Sequence, residues 1–406
     1  MPSSTLRILA DENIPLAREA FGTLGAVRLV PGRQITPEAA READVLLVRS
    51  VTRVDAALVE GSPLRFVGSA TIGTDHVDLE ALRAHGIAFA HAPGSNAESV
   101  VEYVLAALLR LAARRGETLR QKSVGVVGCG AIGGRLATRL TAFGTRVLKN
   151  DPPLAERATQ AGAPHDFVAW SEVLAEADVV TLHMPLTHAG SHATHHLFDK
   201  TTLNRLKPGA WLVNTARGAV VSNEALKEML QEGRLDAVVL DVWEHEPTPD
   251  PDLLRRVDLA TPHVAGHSYD GKVEGTRMLY HALARHLGLP PSWDAAALAP
   301  TPDDPLALIP PDATLSETPW LDALARQMVD LPATDTRLRR LLTRPPDEHA
   351  AFFIDQRKHY PRRRTFRLHT LARHAVPEAY RAAVEQGLRV RLLGQGLSSS
   401  FMLFDK

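Results

Sequence analysis

Val124-Gly125-Val126-Val127-Gly128-Cys129-Gly130-Ala131-Ile132-Gly133 decides the reading of this chain: a short apolar run opens into three glycines spaced G-x-G-x-x-G. The run has the length of a buried strand, and Arg135 to Phe143 continues as a helical pattern. Glycines at this spacing say little alone; between a strand and a helix they mark a dinucleotide loop. The first glycine permits the tight turn, the second lets backbone approach a pyrophosphate, and the third allows close packing of helix on sheet. The helix N-terminus then offers N–H groups and a positive dipole end to the anion. An acid is expected about 20 positions on, at the end of the next strand, and Asp151 stands there after Arg146-Val147-Leu148. Its carboxylate suits the ribose hydroxyls of NAD and repels the added phosphate of NADP, so Gly128, Gly130, Gly133 and Asp151 predict NAD. Lys149, two residues earlier, is the one nearby charge that would blunt this discrimination.

Outward from the loop, short apolar runs alternate with helical patterns. Towards the N-terminus, strands are expected at Leu6–Ala10, Val45–Val48 and Arg65–Gly68, with Ile14–Leu24 helical between them. Asn96–Arg115 is the longest helical pattern, with an apolar stripe through Val101, Leu105 and Leu108; Asn96 can cap it and Gly116 can end it. Beyond the loop, strands follow at Arg146–Leu148, Val179–Leu182, Trp211–Asn214 and Ala237–Leu240. This alternation predicts an α/β fold: two doubly wound Rossmann-like domains with a cleft between them, plus a C-terminal α+β domain. The expected boundaries are 1–95 with a helix at 272–290 for the substrate-binding domain, and 96–271 for the NAD-binding domain. A proline-crowded linker spans 291–319 and the C-terminal domain 320–406.

Composition narrows the function classes. The chain has 406 residues, 45% hydrophobic and 23% charged, as in ordinary globular proteins. No apolar run approaches the roughly 20 residues of a membrane helix. Met1 to Leu9 lack the pattern of a secretory signal, and the single cysteine, Cys129, allows no intramolecular disulfide. Both fit a reducing cytoplasm. Net charge is −1, but residues 336–406 carry 15 Lys and Arg against 6 Asp and Glu. Such a surplus serves a solvated or subunit-facing surface, an acidic partner, a phosphorylated ligand or nucleic acid. No nucleic-acid-binding motif accompanies it.

Three ionisable residues stand just past strand-like runs: Arg217 in Asn214-Thr215-Ala216-Arg217-Gly218, Glu246 after Asp241-Val242-Trp243-Glu244-His245, and His263 in Thr261-Pro262-His263. Ligands of open parallel sheets bind beyond the carboxyl ends of strands. Singly, each has a bland reading: a surface cation, a turn-shaping acid before Pro247, a structural histidine. Together they match the oxidation of a 2-hydroxy acid. That reaction needs a base for the hydroxyl proton, which histidine suits; a carboxylate to orient the imidazole; and an arginine to clamp the substrate carboxylate. No metal is called for.

These stretches, with Asn214–Val221, Leu240–Pro247 and Pro262–Gly266, resemble the D-2-hydroxyacid dehydrogenase family over about residues 6–290. The resemblance implies Arg217 as substrate clamp, Glu246 as orienter and His263 as acid/base. It also implies cofactor contacts from Ile132, Met184, Thr215, Ala216, Asp241 and Gly266. A narrower resemblance, to a branch acting on a phosphorylated 2-hydroxy acid, rests on Ile8–Pro15, Val48–Thr52 and Phe66–Asp78. A looser pattern continues through Phe353, Asp355, Arg357, Lys358, Tyr360, Arg362 and Arg363. That branch implies substrate contacts from Ser50 and Thr71 and a homodimer formed through the C-terminal domain. Where it places a substrate-contacting tyrosine this chain has His267, with Tyr269 two residues on. Arg49 and the Arg357–Arg364 cluster are the candidate phosphate cations. Two rival readings stay open: another family member, such as a phosphoglycerate dehydrogenase, or an NAD-sensing corepressor on the same fold.

Overall fold

A computed structural model describes residues 5–294 and 306–394. Pro300, Pro302 and Pro305 of the expected linker, and residues 395–406 of the expected C-terminal domain, lie outside the described residues. The chain forms two compact units, Met1–Ala97 with Ser268–Thr301, and Glu98–His267 with Pro302–Lys406.

The first unit holds five parallel strands, β1 (Arg7–Asp11), β2 (Ala26–Val30), β3 (Val45–Val48), β4 (Phe66–Ser69) and β5 (Ala88–His91), in the order β2-β1-β3-β4-β5. All four residues of β3 are buried, as a continuous Val/Leu run covered on both faces should be. The two edge strands, β2 and β5, escape the sequence pattern, because neither carries a fully buried apolar run. The helix Tyr269–His286 completes this unit: Leu279, Tyr280 and Leu283 share a core with Phe21 and Phe66. The strand order reverses between β1 and β3. Arg49 and Ser50 follow β3 and Thr71 follows β4, so these candidates sit at carboxyl ends beside the switch point.

The second unit holds six parallel strands, β6 (Ser123–Val127), β7 (Arg146–Asn150), β8 (Val179–Leu182), β9 (Ala210–Asn214), β10 (Leu235–Leu240) and β11 (Leu259–Ala260). Their order is β11-β10-β9-β8-β6-β7, and a lone parallel bridge from Lys149 to Phe167 adds a rudimentary strand beyond β7. The switch point falls between β6 and β8, and the glycine loop leaves β6 there. The helix Ala97–Arg115 lies in this unit's core, with Val101, Leu105 and Leu108 fully buried. Asn96 does not cap it: its Oδ1 is buried without a hydrogen bond, and the turn from Ala97 N–H to Gly94 O closes the start instead.

The C-terminal residues group with the second unit. Trp320, Leu321 and Leu324 of the helix Glu317–Met328 enter the same core as Val101 and Leu105. A two-stranded parallel sheet, β12 (Thr370–Ala372) with β13 (Arg391–Leu393), completes this region. Among the described residues no helix is long and apolar enough to cross a membrane.

Candidate active site

The glycine loop has the shape a pyrophosphate needs. Gly128 adopts φ +85°, and a Cβ there would lie 2.8 Å from the His183 carbonyl carbon and the Met184 nitrogen. A Cβ on Gly133 would overlap the Gly128 carbonyl, while one on Gly130 would meet open space. The loop is therefore closed by backbone on two sides and open on the third. The following helix, Gly133–Thr141, has no side-chain cap at its N-terminus, which leaves that end to an anion.

Asp151 does more than sequence reasoning assigns to it. Its Oδ2 accepts from Cys129 N–H at 2.8 Å and its Oδ1 from Leu154 N–H at 3.0 Å, so it pins the loop and caps the next helix. Burial, then Asp151, pushes the Cys129 thiol up to about 12; it is no nucleophile. Lys149 pairs with Asp166.

Across the switch point, His183 and Met184 follow β8. His183 Nε2 lies 2.9 Å from Thr181 Oγ1 and its Nδ1 3.4 Å from Thr215 Oγ1. Burial lowers its pKa to about 3, so the ring stays neutral and bridges β8 to the Thr215 loop. Sequence reasoning misses His183; a histidine at a strand end beside the expected Met184 is the signal that could find it.

Glu246 and His263 meet. His263 Nδ1 lies 2.7 Å from Glu246 Oε2, and Trp243 N–H donates to Glu246 Oε1 at 2.9 Å. Burial alone would raise the Glu246 carboxyl, but the His263 hydrogen bond and charge, the Trp243 N–H and the Arg357 charge hold it below its ordinary value. His263 itself sits at φ +57° and donates its N–H to Asp241 O at 2.7 Å.

Asp241 is 1% exposed, and its carboxylate accepts from Thr261 Oγ1 at 2.6 Å, Val264 N–H at 2.7 Å and Ala265 N–H at 2.9 Å. Tyr103 on the core helix hydrogen-bonds Thr261 Oγ1 at 2.6 Å. Expected as a cofactor contact, Asp241 is seen bracing the loop that carries His263 and Gly266.

Arg217 follows β9, where Asn214 shapes the turn. Its Oδ1 accepts from Ala216 N–H and its Nδ2 donates to Arg217 O, both at 3.0 Å. A Cβ on Gly218 would overlap the Trp243 carbonyl. The Arg217 loop thus rests on the residue whose N–H holds Glu246, which brings the Arg217 and Glu246–His263 segments together.

Arg49, Ser50 and Thr71 belong to the first unit. Arg49 Nη1 donates to Asn13 O at 3.2 Å, and Ser50 is exposed. Thr71 Oγ1 donates to Gly73 O at 2.8 Å and lies 2.7 Å from Ser69 Oγ. Lys272, which sequence reasoning does not single out, is pushed down to about 8 by burial and by the Arg49 cation. In the second unit, Arg363 and Arg364 are 6% and 8% exposed, so this part of the expected phosphate cluster is not a solvent-facing anion site. Arg357 does act on the site through Glu246, and its Nε is buried without a hydrogen bond. The ring of His267 packs edge-on to Tyr360, with centroids 6.1 Å apart.

Comparison with known proteins agrees with this geometry. Residues 97–265 match the NAD binding domain of D-isomer specific 2-hydroxyacid dehydrogenases. The chain is 54% identical over 390 residues to the erythronate-4-phosphate dehydrogenase of Salinibacter ruber, covering 96% of this chain and 100% of that one. It is 47% identical to that of Azotobacter vinelandii, over 96% of each. Among solved structures it resembles a protein from Thermus thermophilus, TT0316, with 32% identity, TM-score 0.59 and coverage of 71% and 99%. D-lactate dehydrogenase from Aquifex aeolicus, complexed with NAD and lactic acid, shows 25% identity, TM-score 0.56 and coverage of 70% and 96%. The loop that fits a pyrophosphate therefore takes NAD. The chain belongs to the D-isomer specific 2-hydroxyacid dehydrogenase family, on its erythronate-4-phosphate dehydrogenase branch, and is an NAD-dependent oxidoreductase.

Proposed function

We propose that the enzyme oxidises 4-phospho-D-erythronate at C2 to (R)-3-hydroxy-2-oxo-4-phosphooxybutanoate, a step of pyridoxal 5'-phosphate biosynthesis. The relatives' names support the substrate, and the observation that carries the chemistry is the Glu246–His263 hydrogen bond of 2.7 Å. Glu246 accepting from Nδ1–H leaves Nε2 of His263 as the proton acceptor. His263 takes the C2 hydroxyl proton, and Glu246 holds the ring in that tautomer and stabilises its charged form. Arg217 offers two parallel N–H donors to the substrate carboxylate. NAD, when bound on Gly128, Gly130, Gly133 and Asp151, supplies the acceptor for the hydrogen leaving C2.

Ser50 and Thr71 are assigned to substrate on the resemblance, supported by their places at strand ends. For the phosphate, Arg49, beside the lowered-pKa Lys272 in the first unit, is the cation we assign; Arg357 of the second unit is the alternative. His267 is assigned to substrate in place of the branch's tyrosine. The C-terminal residues are proposed to form a homodimer. A single free thiol suits the reducing cytoplasm.

The test is NADH formation from 4-phospho-D-erythronate, 3-phosphoglycerate and unphosphorylated erythronate. A kcat/KM highest for the first by about tenfold or more supports the reading. Preference for 3-phosphoglycerate moves the enzyme to a sister activity, and NAD binding without turnover of any of the three makes it a sensor.

A further inference from the structure

The loop from His263 to His267 is held from two sides, and only one belongs to the β-sheet. Asp241, at the end of β10, accepts the N–H groups of Val264 and Ala265. On the other side, Arg363 of the C-terminal segment donates from Nη2 to Ala265 O at 3.0 Å and from Nε to His267 O at 3.0 Å. Nη2 also donates to Ser99 O at 2.6 Å, on the core helix. The Ala265 peptide thus lies between a carboxylate and a guanidinium, each nearly or wholly buried.

The charge of Arg363 is answered within the same core. Glu102, 0% exposed, places Oε2 3.6 Å from Arg363 Nη1 and accepts Phe366 N–H on Oε1 at 2.6 Å. Phe366 and Arg363 are on the same C-terminal stretch, so the helix grips that stretch by a charge and by a backbone bond. Only a guanidinium has a rigid planar fork of donors able to reach two loop carbonyls, a helix carbonyl and a carboxylate together. His263 needs such support, because a non-glycine residue at φ +57° is held by its surroundings and not by local preference.

We propose that Arg363 is a positioning residue for the acid/base His263: through Ala265 and His267 it fixes the loop in its working conformation. The C-terminal segment then completes the catalytic loop of its own chain. This rests on His263 being the acid/base.

The experiment compares R363M, R363K and H263A in the full-length enzyme, by steady-state kinetics with 4-phospho-D-erythronate and its 2-deuterated form. For R363M, kcat should fall about 100-fold with both KM values within about threefold, as a displacement near 1 Å at a reacting group produces. The deuterium effect on kcat should grow, since the chemical step becomes limiting. Added guanidinium chloride should restore part of kcat. R363K should fall between R363M and the parent, because an ammonium cannot span both carbonyls. A folded R363M with kcat within about twofold of the parent overturns the proposal. So does a kcat loss matched by lost NADH-binding sites with an unchanged isotope effect, which marks a purely structural role. If R363M does not fold, R363K is judged by the same criteria. Unimpaired turnover by H263A refutes the acid/base reading itself; an inactive H263A beside a normal R363M refutes only the role of Arg363.

Discussion

At the scale of single residues, two carboxylates of the cofactor unit carry different duties, and their substitutions should separate. Glu246 has one oxygen on His263 and one on the Trp243 N–H. In E246Q the amide can still accept from one of these groups but no longer stabilises a charged imidazole, so kcat should drop about 10²- to 10⁴-fold with KM for NAD nearly unchanged. Stopped-flow turnover with saturating cofactor checks this, and a loss below about tenfold would contradict the assigned role. Asp151 instead spends its oxygens on Cys129 N–H and Leu154 N–H. D151A should therefore change two observables at once. The NAD-to-NADP ratio of kcat/KM should fall, and stability should fall by about 1 kcal/mol for the lost helix cap. A changed ratio at unchanged Tm would show that the cap contributes nothing.

At the scale of elements, eight strands are legible in the sequence; β3, β4, β6, β8 and β9 among them are buried along their whole length, and β7 is legible although it is a partly exposed edge strand. Edge strands β2 and β5 are not, because exposure on one side dilutes the pattern. The loop, Asp151 and the Glu246–His263 pair are readable because their chemistry fixes both residue type and spacing. The supports are not, since Tyr103 and Thr261 act through contacts far apart in sequence. Gly218 is one such support: a side chain there would meet the Trp243 carbonyl. G218A should push the Arg217 loop away and lower kcat/KM for the hydroxy acid by about tenfold or more, with Kd for NADH little altered. Fluorescence titration of NADH beside the kinetics separates the two. Glu102, on the core helix, gives a pH signature. Burial, against the pull of Arg363 and then Arg139, raises its carboxyl from 4.5 to about 7. A folded value above the unfolded one means that stabilisation is complete below 4.5 and lost as pH rises through about 7. The Tm of the parent relative to E102Q should thus fall between about pH 5 and pH 8, whereas parallel curves would place the Glu102 charge outside this balance.

At the scale of the whole molecule, the basic C-terminal segment reads in sequence as an appendage: a proline-crowded stretch separates it and its charge differs from the rest. Charge and linker composition report on surface and backbone, and neither reveals which core a segment's apolar residues enter. Trp320, Leu321, Leu324 and Phe366 are fully or almost fully buried and share the core of the helix Ala97–Arg115. Arg139, on the helix after the glycine loop, donates to the carbonyls of Gly387 and Leu388. The segment therefore holds the cofactor unit from two directions, and its removal should differ from loss of a dimerisation arm. A chain ending at Trp293 would expose the apolar face against which Trp320 packs, and loss of one such aromatic contact alone costs about 3–5 kcal/mol, a large fraction of ordinary domain stability. We expect this truncated chain to lose near-UV circular dichroism and NADH binding together and to unfold without a cooperative transition. A truncated monomer that still binds NADH and melts cooperatively would show that the segment serves assembly alone.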